Sequence, residues 1–450
     1  MPMRDAFLAD IIEHPEDDTP RLIFADWLED QDDPASSDQA EFIRTQIRLE
    51  TLREEGPALW ALRDREKDLL KTYRSAWAAP LLDRIQVEEF RRGFVGTVRM
   101  PASKFLERGD EVFSLAPVQR LRLVSSPLGF QSQGDNRTLL RKIGRLPLLR
   151  RLVGLQLELP LLTASAVGGL LASPHLNGLR ELDLRTFTLE QETIETLLAW
   201  PGCSRLRTLS LHYHHEAPRI IPHLASSETL TSLEDLSIHA TRLLRRDLAA
   251  LSHAPHLPAL RKLDLGHNQI DNEGFGALLE GSLLGQIEEL NLPGNRIGDK
   301  STWVWADQTP PTRLQVLDLS NNGLFGPDVA GLIRASSLGH LRELNLRANV
   351  IGGKGLAALA NSPALGRLRI LLLHFNGIDD RGIEALVRSE SLAGLVWLDL
   401  AANRISGRGV RALVRAGNLE NLEKLDLARN DIGPPHQKTL SERFGPVVKL

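Results

Sequence analysis

Apolar residues recur along this chain with a fixed 27-residue period. One copy is LRKLDLGHNQI, residues 260–270, with apolar residues at 260, 263, 265 and 270 and an asparagine at 268. Equal steps of one period from Leu260 reach an apolar residue each time, in eleven copies without an insertion. The leading residues are Leu152, Leu179, Leu206, Leu233, Leu260, Ile287, Leu314, Leu341, Leu368, Leu395 and Leu422. A fixed period of this length predicts a solenoid, in which each copy packs against its neighbours.

Each copy carries the pattern of a short strand followed by a turn. Leucines alternate with polar residues, as in Leu263-Asp264-Leu265, which predicts a strand of about three residues with one buried face. An asparagine follows the strand in seven copies, at Asn268, Asn295, Asn322, Asn349, Asn376, Asn403 and Asn430. Stacked at about 4.8 Å per rung, these amides can hydrogen-bond backbone groups of neighbouring turns that would otherwise be buried unpaired. Four earlier copies lack the asparagine and have Pro160, Phe187, His214 and Thr241 instead.

The second half of each copy carries the pattern of a helix. In GLAALANSPAL, residues 355–365, Leu356, Leu359 and Ala360 recur at helical intervals, which predicts a helix packed behind the strand. Ser362-Pro363 is expected to end it. Because helices are wider than strands, the stack is predicted to curve and to form a concave inner wall.

These registered copies resemble the ribonuclease-inhibitor-like class of leucine-rich repeats, over roughly residues 90–450. The resemblance implies an α/β fold, a right-handed leucine-rich-repeat solenoid shaped as a horseshoe, with a parallel inner sheet and outer helices. It also implies that the chain binds other proteins, and it implies no catalytic activity. Regular repeats are expected from residue 152, irregular first repeats over 93–151 and a C-terminal cap over 433–450, in which Val447, Val448 and Leu450 form a last strand.

The first 86 residues lack the repeat and predict a small all-helical domain. Thr19-Pro20 is expected to cap and begin the second helix, and the acidic stretch 29–38 is expected to be a solvated loop. The segments DDTPRLIFADWLED (17–30) and AEFIRTQIRLE (40–50) resemble a small bacterial repeat-companion domain, over about fifty residues, which implies nothing catalytic. We therefore expect a helical companion or cap domain at 1–86 and the solenoid at 87–450.

Asp26, Trp27 and Glu29 admit two interpretations. They could form a partner-binding or chemical cluster. Alternatively, Trp27 belongs to the core and Asp26 caps a helix or pairs with an arginine such as Arg21 or Arg44.

Charge is distributed unevenly between the two parts of the chain. Residues 1–80 hold 19 acidic and 10 basic residues, a net charge of −9, whereas the whole chain carries −4 and the remainder therefore +5. This balance argues against a general nucleic-acid binder. The N-terminus lacks the features of a signal peptide and no apolar run is long enough to span a bilayer. We expect a cytoplasmic, monomeric protein that is not attached to a membrane, with Cys203, its one cysteine, as a small core residue rather than a reactive thiol.

Histidines are concentrated in one part of the array, with eight of the thirteen between residues 212 and 267. His212 and His239 occupy the same inner-wall position in adjacent copies, and with His214, His215 and His267 they could ligate zinc, copper or nickel. No fixed spacing of ligands supports such a site. The favoured interpretation is a polar, pH-sensitive contact patch, and no metal or cofactor is expected.

A column of acids and amides also lines the predicted inner wall. Its members are Asp183, Asp264, Asn291, Asp318, Asn345, Asp399 and Asp426. Neighbouring carboxylates are compatible with general acid–base catalysis. The column runs along the whole array instead of forming one site, so a structural role is favoured.

Large and charged residues on the predicted concave face favour a protein interface, because aromatic residues and arginines contribute most of the binding energy in such interfaces. The candidate partner-binding residues are Asp183, Arg185, His212, Tyr213, His239, Arg347, Leu372, His374, Phe375, Trp397 and Asp399. The favoured function is a non-enzymatic scaffold that binds a partner protein there. Two alternatives remain open: a regulator of a GTPase or another nucleotide-hydrolysing partner, and a metal-dependent hydrolase at the histidine patch.

Overall fold

The computed structural model describes residues 2–52, 56–83, 85–125, 136–187, 189–213, 220–298, 313–334 and 336–450. The chain divides into two compact units, of which unit 1 ends at Leu209 and unit 2 spans Ser210–Leu450. This division does not test where the helical domain ends, so the boundary at residue 86 stays a prediction. None of the described helices is long and apolar enough to cross a membrane.

Four helices form the N-terminal part of unit 1. They are α1 (Pro2–Glu13), α2 (Thr19–Glu29), α3 (Pro34–Thr51) and α4 (Pro57–Leu82). Phe24, Leu28 and Ile43 are the centre of their core, with Trp27 packed against it. Asp26 pairs with Arg44 at 2.6 Å. These contacts favour the structural interpretation of Asp26 and Trp27.

Two local expectations for these helices are wrong. Thr19 is not the cap of α2 but its first residue, because the helix begins one residue earlier than expected, after Asp18. The acidic stretch is mostly helix, since α3 begins at Pro34. The Asp33 side chain accepts a hydrogen bond from the Ser36 amide at 3.0 Å, which satisfies a free N–H of the first turn, and Pro34 needs no such partner.

A hairpin that the sequence did not predict joins these helices to the repeats. It consists of β1 (Gln86–Arg91) and β2 (Phe94–Pro101), paired antiparallel. The buried Gln46 of α3 binds its turn, donating to the Phe90 carbonyl at 2.9 Å and accepting from the Gly93 amide at 2.6 Å. Gly93 has φ +90°, a conformation that favours glycine. The turn is thereby fixed against α3.

The rest of unit 1 alternates strands with helices. The strands are β3 (Arg120–Val124), β4 (Gly154–Glu158) and β5 (Glu181–Thr186), and β6 (Thr208–Tyr213) follows; the helices are α5 (Ala102–Leu115), α6 (Asn136–Ile143), α7 (Ala164–Leu171) and α8 (Gln191–Leu198). Strands β2 to β5 pair in parallel, with Val98, Leu121, Leu155 and Leu182 in register. Residues 126–135, within the irregular first repeats expected over 93–151, lie outside the described residues.

Unit 2 continues the same alternation with shorter strands. The strands are β7 (Asp235–His239), β8 (Lys262–Asp264), β9 (Glu289–Asn291), β10 (Val316–Asp318), β11 (Glu343–Asn345), β12 (Ile370–Leu372), β13 (Trp397–Asp399), β14 (Lys424–Asp426) and β15 (Val448–Lys449). The helices are α9 (Ile220–Ala225), α10 (Arg245–Ser252), α11 (Asn272–Leu279), α12 (Gly326–Leu332), α13 (Gly352–Ala360), α14 (Asp380–Leu386), α15 (Gly407–Val414) and α16 (Pro434–Phe444). From β7 to β14, consecutive strands pair in parallel, and the paired residues are equivalent positions of consecutive copies. The predicted leucine-rich-repeat solenoid is confirmed, and β15 is the expected last strand.

The asparagines form the predicted ladder. Asn349, like Asn295 and Asn403, accepts from two backbone amides: its Oδ1 bonds the amides of Asn322 and Leu324, both at 3.0 Å. Its Nδ2 donates to the carbonyls of Leu319 at 3.0 Å and Leu346 at 2.9 Å. One amide therefore joins two consecutive copies through backbone groups that are buried away from water.

Where the asparagine is missing, hydroxyl groups take over part of its role. Thr241 donates its backbone amide and its hydroxyl to Asn268, at 2.9 and 2.8 Å. In unit 1, Thr186 donates its hydroxyl to the Pro160 carbonyl at 3.1 Å. The first regular copies thus keep the solenoid geometry with different polar groups.

Cys203 is fully buried, as expected of a core residue.

Candidate functional site

The inner wall of unit 2 carries its largest side chain on β13. Trp397 pairs in register with Ile370 on one side and Lys424 on the other. The Lys424 ammonium lies 4.0 Å from the centroid of the Trp397 ring, and the Arg347 guanidinium lies 6.0 Å from it. Both distances are within the range of a cation–π contact. A half-buried indole between two cations is therefore presented on this wall.

Arg347 is held in place by a carboxylate two rungs away. Its Nε and Nη2 donate to Oδ2 of Asp399, at 3.0 and 2.6 Å. Asp399 is only 5% exposed, and its Oδ1 accepts from the Ala401 amide at 3.0 Å. An arginine bonded twice to a buried carboxylate has little freedom left to lose on binding. Arg347 is thus positioned before any partner arrives.

Leu372 is not available to a partner, contrary to the expectation from its inner-wall position. It is 3% exposed. In the sheet it lies between Asn345 and Asp399, so the salt bridge between Arg347 and Asp399 crosses its rung. The salt bridge between Arg347 and Asp399, whose residues lie two copies apart, therefore covers Leu372.

Phe375 is the most exposed of the large apolar residues of the described chain, at 64%. It has φ +56°, a left-handed conformation that costs roughly 1–2 kcal/mol for a residue with a Cβ. The residue before the ladder asparagine adopts this conformation in every copy from His267 to Arg429, so the turn imposes it. Because its side chain is largely in solvent, burial does not offset the cost at Phe375. Neighbouring His374 is half-exposed, and its carbonyl accepts from the Ala348 amide at 2.8 Å.

The histidine patch is a short row of rings, tilted relative to one another, beside one carboxylate. The ring centroids of His212 and His239 are 4.8 Å apart, and those of His239 and His267 are 6.4 Å apart. His239 Nε2 lies 2.9 Å from Asp264 Oδ1. Burial acts to raise the pKa of Asp264, but the hydrogen bond and charge of His239, together with the Gly266 amide and the charge of Lys262, outweigh it, and the pKa lies below its usual value.

The patch shows no metal-binding geometry among the described side chains. Within that part of the chain, no group of three or more His, Cys, Asp or Glu side chains is placed to hold an ion. His214 and His215 lie outside the described residues, and nothing is described of the Tyr213 side chain. What the patch offers is a polar surface of imidazoles beside the Asp264 carboxylate.

Removing the imidazole of His239 should raise the pKa of Asp264. With His239→Leu, burial would be opposed only by the Gly266 amide and the charge of Lys262, so the pKa of Asp264 is expected to be higher than in the wild-type protein. In the wild-type protein the stability gained from the lowered pKa is present above the ordinary pKa and is lost as the pH falls through the folded value. Carboxyl carbon NMR titration measures the change, and Asp328, whose pKa is raised by burial, is the control that should not move. An unchanged titration of Asp264 would refute this coupling.

Asp183 and Arg185 lie in unit 1, on β5, where they pair with each other at 3.0 Å. Burial raises the pKa of Asp183, and Arg185 offsets this only partly. A larger charged network that the sequence did not predict lies on the same wall. Arg122 donates to Glu158 at 2.8 Å and to Glu88 at 3.0 Å. The alternation of Arg120 and Arg122 with apolar residues was the available signal.

Lys424 was missed as well, although its position follows from the repeat. It is the equivalent of Trp397 in the next copy, and parallel strands in register place such residues side by side. Since a lysine beside a tryptophan is a recognisable cation–π pair, the period alone could have identified it.

Two sequence families match parts of the chain. The family described as Leucine Rich repeat matches residues 256–279, 339–360 and 418–435, and the one described as Leucine Rich Repeat matches residues 313–334. All four segments lie in unit 2 and fall on the regular copies. No curated protein matches the chain.

Several solved structures are similar to the chain. An internalin, InlF, from Listeria monocytogenes is 18% identical, with a TM-score of 0.39, over 68% of this chain and 87% of its own. The mouse RP105/MD-1 complex is 22% identical, with a TM-score of 0.42, over 72% of this chain and 53% of its own. A TLR13–ssRNA13 complex is 19% identical, with a TM-score of 0.42, over 77% and 54%. The chain thus spans about half the length of the latter two, and no functional conclusion follows from likeness of this degree.

Proposed function

Because the chain is a leucine-rich-repeat protein, built of stacked copies that present an extended binding surface, we propose that it is a non-enzymatic scaffold that binds a partner protein. The proposed binding surface is the inner wall of unit 2 around Trp397. The observation that carries the proposal is the indole ring with the Lys424 ammonium 4.0 Å from its centroid. Tryptophan and arginine are the residues most enriched among those that dominate binding energy.

The surroundings of Trp397 support this choice. Arg347 is fixed by a carboxylate that is itself buried, so little side-chain entropy is lost when a partner binds. The indole presents a large apolar area at a low entropy cost. His374 and Phe375 lie beyond the end of β12, where His374 is half-exposed and Phe375 is exposed. We propose Asp183, Arg185, His212, Tyr213 and His239 as additional contacts of secondary importance.

Finer features of the chain belong to the same proposal. We assign the repeats to the ribonuclease-inhibitor-like class, on the length of the period and the helix behind most strands. We assign residues 1–86 to a bacterial repeat-companion domain, on the segments 17–30 and 40–50 and the four helices they belong to. A monomeric, cytoplasmic scaffold fits the composition.

The proposal predicts that binding of a native partner depends on Trp397 and Lys424. Proteins captured from native lysate by the wild-type chain should be lost with Trp397→Leu and with Lys424→Ala, with affinity reduced at least about 30-fold for a dominant contact. Leucine keeps the half-buried position apolar, and Lys424 is exposed, so both variants should fold. Phe187→Leu, at an exposed position of unit 1, is the control. If the wild-type chain and the three variants recover the same proteins equally well, the proposal is contradicted.

A further inference from the structure

Three large apolar side chains are exposed on consecutive copies of unit 2, beyond the ends of the strands. They are Phe325, Val350 and Phe375, with exposures of 52%, 56% and 64%. Phe325 and Val350 face each other in an isolated parallel bridge. The Ala348 amide donates to the His374 carbonyl at 2.8 Å, which places Phe375 on the rung next to Ala348. We call these three residues the turn-edge ridge.

Single exposed apolar residues are common, but three on adjacent rungs form a patch, and such patches mark interaction sites. Phe375 adds a second argument, because its left-handed backbone and its exposure are both unfavourable for an aromatic residue. Its equivalents in the neighbouring copies are alanines, Ala348 and Ala402. Stability of the fold therefore does not account for the phenylalanine, whereas binding does.

Arginines flank the ridge at both ends. The position of Val350 is occupied in five consecutive copies by Arg296, Gly323, Val350, Gly377 and Arg404. A Cβ added at either glycine would meet no atom within 4 Å, so there is open space on both sides of Val350. At about 4.8 Å per rung, the backbone positions of the two arginines are roughly 19 Å apart.

These arginines are available to a ligand. Arg296 and Arg404 are both exposed, and neither forms an ion pair with any described residue. The nearest acidic residues in the turns serve the fold: Asp271 accepts from the Gly274 amide at 2.9 Å and Asp379 from the Gly382 amide at 3.2 Å. Both carboxylates cap helices. The ridge thus combines an apolar centre with an exposed arginine at each end, each lying beside a helix-capping aspartate of the preceding copy with which it forms no ion pair.

We propose that the turn-edge ridge is a second docking surface, separate from the wall around Trp397, for an acidic amphipathic segment of a partner protein. Apolar side chains of that segment pack on Phe325, Val350 and Phe375, and its acidic residues pair with Arg296 and Arg404. A spacing of roughly 19 Å corresponds to about thirteen residues of helix or about six residues of extended chain. Charge complementarity of this kind selects an acidic partner and disfavours a basic one.

A random library of 16-residue peptides, selected on the immobilised full-length chain, tests the proposal. The enriched sequences should carry Asp or Glu on both sides of apolar residues, at one of the two spacings. The affinity of a selected peptide, measured by fluorescence anisotropy, should fall at least 10-fold with Phe375→Asn and with the double variant Arg296→Gln and Arg404→Gln. Its affinity should also fall as salt rises.

The controls separate this surface from the rest of the chain. Asparagine accepts the left-handed conformation, so Phe375→Asn should unfold no more easily than the wild-type chain. Leu244→Asn, at another exposed apolar position of unit 2, and Trp397→Leu should leave the affinity unchanged. The proposal is overturned if the selection enriches no sequence or enriches basic ones, if Phe375→Asn binds as tightly as the wild-type chain, or if Trp397→Leu weakens binding instead.

Discussion

Replacing Asn349 with alanine is expected to lower the free energy of unfolding by roughly 2–6 kcal/mol, because two buried backbone amides lose their acceptor at a cost of about 1–3 kcal/mol each. These are the amides of Asn322 and Leu324, both bonded to Asn349 Oδ1 at 3.0 Å. Asn349 is itself buried, so bulk water does not reach these amides in the folded chain. Chemical denaturation followed by circular dichroism measures the loss.

Asn421, an asparagine on the surface, is the control for the contribution of the Asn349 side chain to stability. Asn421 is exposed and makes one hydrogen bond, from Nδ2 to the Ala393 carbonyl at 3.0 Å. Asn421→Ala should therefore cost about 0.5 kcal/mol, because water takes over the bond. If Asn349→Ala costs no more than Asn421→Ala, the ladder does not stabilise the stack.

Replacing Asp399 with alanine is the second change with a large expected effect, a loss of about 2–4 kcal/mol. The carboxylate is nearly buried and accepts from Arg347 twice and from the Ala401 amide once. Its removal leaves a buried amide unpaired and a guanidinium without its partner. Arg347 then also loses its fixed position near Trp397, so partner binding should weaken together with stability.

Asp426 provides the control for this prediction, since it occupies the same position one copy later. It accepts from the Ala428 amide at 3.0 Å, but its other partner is the exposed Lys449. Asp426→Ala should cost about 1 kcal/mol. Chemical denaturation of both variants gives the difference, and equal losses would show that the pair with Arg347 contributes nothing.

The period of the sequence was sufficient to predict the strands, the ladder and the core. The apolar residues that lead each copy are buried, Cys203 occupies its expected core position, and Asn349 bonds across copies as predicted. These features depend on contacts between equivalent residues of adjacent copies. Residues that are one period apart in the sequence make such contacts, so these contacts can be predicted from the sequence alone.

The remaining features depend on contacts that the offset does not determine. Leu372 is buried because Arg347 reaches across two rungs to Asp399, a contact between different positions of different copies. The hairpin of β1 and β2 is fixed by Gln46, which lies outside the repeats. The turn before each ladder asparagine imposes the left-handed conformation that exposes Phe375. A phenylalanine does not by itself indicate such a conformation, so the sequence did not predict it.

Residue-by-residue hydrogen exchange of the full-length chain tests the repeating ladder most directly. We expect slowly exchanging amides to recur once per copy through unit 2, at the strands and at the amides that donate to ladder asparagines, such as Asn322 and Leu324 to Asn349, or Asn376 and Ile378 to Asn403. These amides are buried and bonded to a neighbouring copy, so they should exchange only when the stack opens. Rapid exchange at these pairs, or protection that does not follow the period of the sequence, would contradict the account.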